Sequence, residues 1–150
     1  MNIERAATKD AAEILALQIL AYQSEADIYN DHSIAPLTQS LEDIRANFGK
    51  QAFFKVTIDG KIIGSVRAHS TDDTCYIGRL IVHPDFQDRG IGTQLMNEVE
   101  SHFKNAKRFE LFTGSKSGKN LHLYRKLGYK IFRTEAVTAE LTFLHLEKTK

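Results

Sequence analysis

Between Leu80 and Thr93 the chain reads Leu-Ile-Val-His-Pro-Asp-Phe-Gln-Asp-Arg-Gly-Ile-Gly-Thr: an apolar run, a proline, a polar turn and a glycine pair. That order predicts a strand feeding a helix through a glycine-rich turn, with Gly90-Ile91-Gly92 opening the helix. The first amides of such a helix lack internal partners and point outward with the positive end of the helix dipole. They can hold a phosphate, and glycines let it approach without meeting a Cβ. The chemistry on offer is capture of a phosphorylated ligand by main-chain donors.

Two well-known phosphate turns do not fit. A dinucleotide-binding fingerprint needs a third glycine where Leu95 stands, and a Walker A loop needs Gly-Lys-Ser/Thr where Thr93 and Gln94 follow Gly92. A second segment, Gly114-Ser115-Lys116-Ser117-Gly118-Lys119-Asn120, approaches the Walker A pattern. Only three residues separate its glycines, however, and Asn120 replaces the magnesium-binding hydroxyl. A polar loop entering a helix is the simpler reading, and a nucleotide-binding protein built on that loop stays as a rival.

The spacing that remains, Gln87-x-x-Gly90-x-Gly92 after a strand ending in Val82-His83-Pro84, resembles the acetyl-CoA signature of the GNAT superfamily of N-acetyltransferases. Asn120 and Tyr124 stand where that superfamily carries an asparagine in a loop and a tyrosine on the helix that follows. Specific likeness runs from about Tyr76 to Tyr129, whereas the N-terminal third agrees only in its order of elements. The resemblance implies an α/β (α+β) acyl-CoA acyltransferase fold: a mixed, mostly antiparallel sheet of about seven strands flanked by about four helices. It also implies one N-acetyltransferase domain over residues 1–150, with acetyl-CoA as co-substrate.

Cofactor contacts carry over by position. The pyrophosphate is expected over Asp88, Arg89, Gly90, Ile91, Gly92 and Thr93, held more by backbone amides than by side chains, with Gln87 of the signature also in the cofactor set; Arg89 reads more simply as a solvated turn residue. Pantetheine amides resemble peptide bonds and can pair with a strand edge, here the backbone of Leu80, Ile81 and Val82. Asn120 and Tyr124 complete the expected cofactor set.

Acetyl transfer needs a neutral amine, a stabilised oxyanion and a protonated leaving thiolate. An amide near Leu80 or Ile81, splayed outward by a bulge, could polarise the thioester carbonyl. Tyr124 is the expected general acid, since a phenol of pKa about 10 keeps its proton while a thiolate of pKa about 8.5 departs. Tyr129 reads as a core aromatic. Many relatives carry a basic glutamate on the strand before the signature, but Tyr76-Ile77-Gly78-Arg79-Leu80 has glycine and arginine there. Glu25, His69 and Glu110 are candidates, each with a plain surface role as its competitor, and Glu25 ranks first because the first-helix region borders the acceptor pocket in relatives. Tyr22, Glu25, Asp27, Tyr29 and Asp31 would suit a cationic amine, although a polar helix face and loop is the commoner meaning of such a stretch.

The expected activity is transfer of an acetyl group to a primary amine by direct attack in a ternary complex. A small amine, amino acid, aminoglycoside, or protein lysine or N-terminus all remain open as acceptor. The missing glutamate leaves an alternative, a non-catalytic acyl-CoA-binding sensor or interaction module. Superfamily members often dimerise, so a homodimer is a further expectation.

Composition narrows the rest. With 150 residues, 42% hydrophobic, and a net charge of +1, the chain has the makings of a core and no electrostatic case for nucleic acid or anionic membrane. No apolar run approaches the ~20 residues needed to span a bilayer. The single cysteine, Cys75, permits no internal disulfide, which fits a reducing cytoplasm. Six scattered histidines form no ligand-spaced cluster, so no metal is expected.

The elements that must position the signature follow from periodicity. A strand is predicted over residues 2–6, then a helix capped by Thr8 with Ala11, Ile14, Leu15, Leu17, Ile19, Leu20 and Tyr22 on its apolar face. Residues 24–38 read as a broken helix or loop, and Leu41, Ile44 and Phe48 mark a short helix. Asp59-Gly60 closes a hairpin between 53–58 and 61–68, and 74–82 adds a third antiparallel strand. A helix over 90–103, a strand over 108–113, a helix over 120–127 and strands near 130–134 and 140–146 complete the chain.

Overall fold

A computed structural model describes residues 2–150. Its strands are β1 (Asn2–Arg5), β2 (Ala52–Ile58), β3 (Lys61–Thr71), β4 (Thr74–Val82), β5 (Arg108–Gly114), β6 (Lys130–Ala136) and β7 (Thr142–Thr149). They form one seven-stranded sheet in the order β1-β2-β3-β4-β5-β7-β6. Only β4 and β5 run parallel; every other pairing is antiparallel. This is the mixed, mostly antiparallel sheet that the resemblance implies.

The helices are α1 (Ala11–Ala21), α2 (Gln23–Tyr29), α3 (Ala35–Thr38), α4 (Leu41–Asn47), α5 (Ile91–His102) and α6 (Gly118–Lys126). The segment read as a broken helix or loop resolves into α2, ended by Asn30 in the left-handed region, and the single turn α3, with Pro36 in its first turn. The start of α1 differs from expectation. Thr8–Asp10 forms a 3-10 turn, and Asp10 supplies the cap by accepting from the Ala7 amide at 2.9 Å. Burial works to raise the Asp10 pKa, but the Ala7 hydrogen bond and the Lys55 ammonium at 3.0 Å outweigh it and lower the net value.

At the hairpin tip both Asp59 (φ 51°) and Gly60 (φ 78°) adopt the positive angles that a two-residue turn requires. β3 is buried from Ile62 to Ala68, as suits a central strand covered on both faces. On one face α1 and α4 bring Ala11, Ile14, Leu17 and Ile44 against Phe53, Ile62 and Ile81. On the other, α5 brings Ile91, Leu95, Met96 and Val99 against Phe54, Val56, Val66, Ile77 and Phe109. With helices packed on both faces, the sheet's one parting of neighbouring strands becomes the feature of interest.

That opening lies between β4 and β5. Their pairing covers only Thr74–Arg108, Cys75–Phe109 and Tyr76–Glu110, after which the strands part. From Ile77 to Val82, β4 therefore has β3 on one side and no strand on the other. The divergence sets the signature turn, at the end of β4, across a cleft from the loop that follows β5.

Candidate functional site

β4 carries a bulge at the cleft. Its register with β3 runs from Arg67–Gly78 directly to Ser65–Ile81, so Val66 faces two residues, Arg79 and Leu80. Arg79 absorbs the extra residue with a left-handed φ of 50°. Without a bulge, Ile77 and Ile81 would share a face; with it, Ile77 stays in the α5 core and Ile81 crosses to the α1 core. Leu80 and Val82 pack partly buried on the α5 side. The strand is thus twisted open where its backbone borders the cleft.

Beyond β4, Pro84–Phe86 makes one 3-10 turn, and Asp88 and Gly90 take positive φ values of 62° and 79° before α5 begins at Ile91. Among the described residues, the amides of Asp88, Arg89, Gly90, Ile91, Gly92 and Thr93 donate to no protein acceptor; the first helical amide that does is Gln94, to the Gly90 carbonyl at 3.1 Å. Residues 87–90 are exposed. Gly92 is confined by packing: a Cβ there would meet Leu123 Cδ2 at 3.2 Å, so α6 closes one side of the turn. The side chains stand aside. Gln87 Nε2 folds back to the Val82 carbonyl at 3.4 Å, and Arg89 lies over the Phe86 ring at 5.1 Å. Asp88 reaches across to Lys119 at the start of α6, at 3.5 Å between exposed groups.

The second glycine loop is built differently. Ser115 donates to the Thr142 carbonyl, Lys116 to the Tyr29 hydroxyl, Ser117 to the Gly114 carbonyl and Gly118 to the Lys116 carbonyl. Tyr29 also fills the space beside Gly114 and shares a 2.8 Å bond with Ser117 Oγ. A loop whose amides are committed and whose glycine is roofed by a phenol ring has no cradle for phosphates. The nucleotide-binding rival fails on that ground.

Glu25 sits on α2 against this loop. Its carboxylate accepts from Ser117 Oγ at 3.0 Å and from Asn120 Nδ2 at 3.2 Å. Burial raises its pKa, an effect that the Ser117 hydrogen bond partly offsets. Asn120 is therefore turned toward Glu25 and, at 3.5 Å, Thr113 Oγ1. Tyr124, one turn along α6, is 6% exposed, and its hydroxyl has no hydrogen-bond partner among the described residues. Burial, followed by the neighbouring Tyr22 and Glu25, holds Tyr124 above the ordinary phenol range, and Tyr22 is raised by burial too. The structure thus brings Glu25, Tyr22, Tyr124 and Asn120 to one side of the cleft.

Other sequence candidates lie elsewhere. Glu110 is held by Arg108 at 2.7 Å where β4 and β5 are still paired. His69 bonds Gln51 at 3.1 Å and stacks on Tyr76. Tyr129 is a core residue whose hydroxyl donates to Glu100 at 2.9 Å. The acidic, aromatic stretch does not face a ligand as a unit: Asp27 pairs with His32, Asp31 with Ser33, and Tyr29 is buried in the loop contact.

One group had no counterpart in the sequence reading. Arg67, only 6% exposed, stacks over Phe53 at 4.7 Å and donates to Asn47 at 2.7 Å, Gln18 at 2.7 Å and Gln39 at 3.4 Å. Arg79 donates to the same Gln39 oxygen at 3.2 Å. Burial, and then the charge of Arg79, lowers the Arg67 pKa to about 10. A lone arginine in a strand resembles a surface residue, so only the tertiary contacts reveal this pair.

Several known proteins are similar to this chain in sequence or in fold. UPF0157 protein YqkA of Bacillus subtilis (strain 168) is 33% identical over 129 residues, covering 86% of this chain but only 36% of that relative's length. Among solved structures, the ribosomal-protein-S18-alanine N-acetyltransferase from Escherichia coli superposes with a TM-score of 0.82 at 17% identity, over 99% of this chain and 92% of that one. PaiA N-acetyltransferase from Thermoplasma acidophilum, solved in complex with coenzyme A, gives 0.71 at 18% identity with complete coverage of both chains. At such identities these likenesses speak for the fold. Residues 14–129 match the acetyltransferase (GNAT) family, and the chain belongs to it.

Proposed function

We propose that this protein is an acyl-CoA-dependent N-acetyltransferase, with acetyl-CoA as co-substrate and a primary amine, on a small molecule or a protein, as acceptor. The observation that carries the reading is the run of unbonded amides from Asp88 to Thr93 at the mouth of an open strand edge. Family membership supports it, as do a fold neighbour solved with coenzyme A and another named for acetylating a ribosomal protein.

The turn fits a diphosphate: six consecutive amides without a protein acceptor among the described residues lead into a helix N-terminus, and Gly90 and Gly92 present no Cβ. The open edge of Leu80, Ile81 and Val82 fits the two amides of a pantetheine arm. Bound acetyl-CoA supplies an acyl carbon activated as a thioester.

The protein's residues handle protons and charge. A lysine-like amine of pKa about 10.4 is almost wholly protonated at neutral pH and must lose its proton before attacking. Glu25 is the base in this reading; desolvation raises its proton affinity while its bonds to Ser117 and Asn120 fix its position. The bulge leaves Arg79 and Leu80 opposite the single residue Val66, so an amide there lies outside the regular ladder and is the donor assigned to the developing oxyanion. As the C–N bond forms and the C–S bond breaks, Tyr124 gives its proton to sulfur. A phenol is already a weaker acid than a thiol, and burial raises Tyr124 further, so donation to a finished thiolate would be uphill. Proton transfer therefore accompanies C–S cleavage, and the proton lost from nitrogen restores the phenol through Glu25 and solvent.

Release of CoA thiol from acetyl-CoA across a panel of primary amines tests the proposal. Amine-dependent thiol release is expected. Tight acetyl-CoA binding without release on any amine would favour the sensor alternative, and no binding would end both.

A further inference from the structure

Arg67 and Arg79 are two guanidiniums converging on one neutral carbonyl, Gln39 Oε1. Arg67 is satisfied by the amides of Gln18, Gln39 and Asn47, and no carboxylate lies within ion-pair distance of either arginine among the described residues. Gln39 is locked in this orientation. Its oxygen also accepts from Gln18 at 3.0 Å, and its nitrogen donates to Asp43 at 2.9 Å and Asn47 at 2.7 Å. Among the described residues the Arg79 side chain has no other hydrogen-bond partner, and it lines a cleft of about 460 Å³ with Ala35, Thr38, Gln39, Ser40 and Asp43. Asp43 is the only acid among those lining residues, and it accepts from Gln39 rather than pairing with either arginine.

Partly desolvated, like-charged guanidiniums held by neutral amides are costly unless something anionic joins them. Arginine's fork of donors matches a carboxylate or phosphate in particular. The position is informative as well. Arg79 is the bulged residue of β4, next to the amide proposed to meet the thioester oxygen, and Tyr22 lies close enough to feel both Arg79 and Glu25.

Resting on the acetyltransferase reading, we propose that the acceptor is an amine that also carries an oxyanion, a carboxylate or a phosphate, which Arg79 binds in the α3–α4 cleft with Arg67 behind it. The amine would then lie toward Glu25 and the anion toward α4. Glu25 and Asp27 of α2 turn to the Gly114 loop and to His32, so they do not line this cleft.

The test uses matched series of ω-amino carboxylates, ω-amino alkylphosphates and their uncharged amides. Binding to the CoA-saturated protein is measured by calorimetry, and KM and kcat by thiol release. At least one anionic series should bind about tenfold or more tightly than its uncharged partner, the difference appearing in KM rather than kcat. Arg79→Gln should erase the preference, Arg79→Lys should keep part of it, and an unchanged acetyl-CoA melting shift would show that both variants fold. The two anionic series separate carboxylate from phosphate. Equal or tighter binding of the uncharged amines, or a preference untouched by Arg79→Gln, would overturn the proposal. Anion binding without thiol release would retain the anion site and defeat the catalytic reading instead, so the two failures are distinguishable.

Discussion

The Tyr29 phenol occupies the volume that a Cβ on Gly114 would need, and through Ser117 it joins Glu25 in clamping α2 to the loop after β5. Gly114 is thus required by packing from a distant helix. Gly114→Ala should destabilise the fold by about 1–3 kcal/mol, the range for overfilling a packed site. Thermal unfolding will read this as a drop of a few degrees. The loss should shrink in a Tyr29→Leu background, because the two positions compete for one space.

Acetyl-CoA should stabilise the protein by about 2.7 kcal/mol at one hundred times its dissociation constant. ATP with magnesium should give no comparable shift, since the Gly114 loop is internally bonded. Parallel melting curves with the two ligands check both statements.

Tyr124→Phe removes a buried hydroxyl with no hydrogen-bond partner among the described residues, so it should leave the fold and acetyl-CoA affinity nearly intact. Turnover should fall by about a hundredfold or more if the phenol protonates sulfur. Steady-state kinetics beside calorimetry decide; unchanged turnover would remove the acid role.

Glu25 carries a pH signature of definite sign. Its folded pKa is raised by burial, so between its unfolded and folded values the native state binds the additional proton. Stability from this group is fully present below the unfolded value and is lost as pH rises through the folded one. Glu25→Gln should flatten that part of the stability profile above about pH 4.5, near the unperturbed value for a glutamate. Activity should behave oppositely: a base must be ionised, so the wild-type rate rises with pH through the same group. The variant should lose that limb along with most of its rate.

Much of the fold was legible before the coordinates. Asp59-Gly60 between two apolar runs specifies a turn by backbone angle alone, and the periodicity of α5 fixes which face meets the sheet; both are local effects. The signature turn was legible because Gly90 and Gly92 answer a local steric demand. The clamp of Glu25 and Tyr29 on Ser117 was not, since its partners lie some ninety residues apart and each looks like a surface polar group in isolation. Glu25 stands out in the sequence only by resemblance, while its hydrogen bonds come from tertiary packing. Gly78-Arg79 read as a missing acid; in the folded chain Arg79 is the bulged residue itself, with its guanidinium turned to Gln39. The break in α2–α3 was visible at Pro36, but not the helix before it, whose register depends on Ala26 and Tyr29 being buried.

Main-chain donors gripping a diphosphate at the start of α5 are the centre of the proposed chemistry. An amide-resolved NMR titration with acetyl-CoA tests this most directly. The largest shifts should fall on the amides of residues 88–93, with smaller ones along Leu80–Val82 and none of that size in the Ser115–Gly118 loop. Saturating acetyl-CoA that leaves residues 88–93 unmoved, while resonances elsewhere shift, would contradict it.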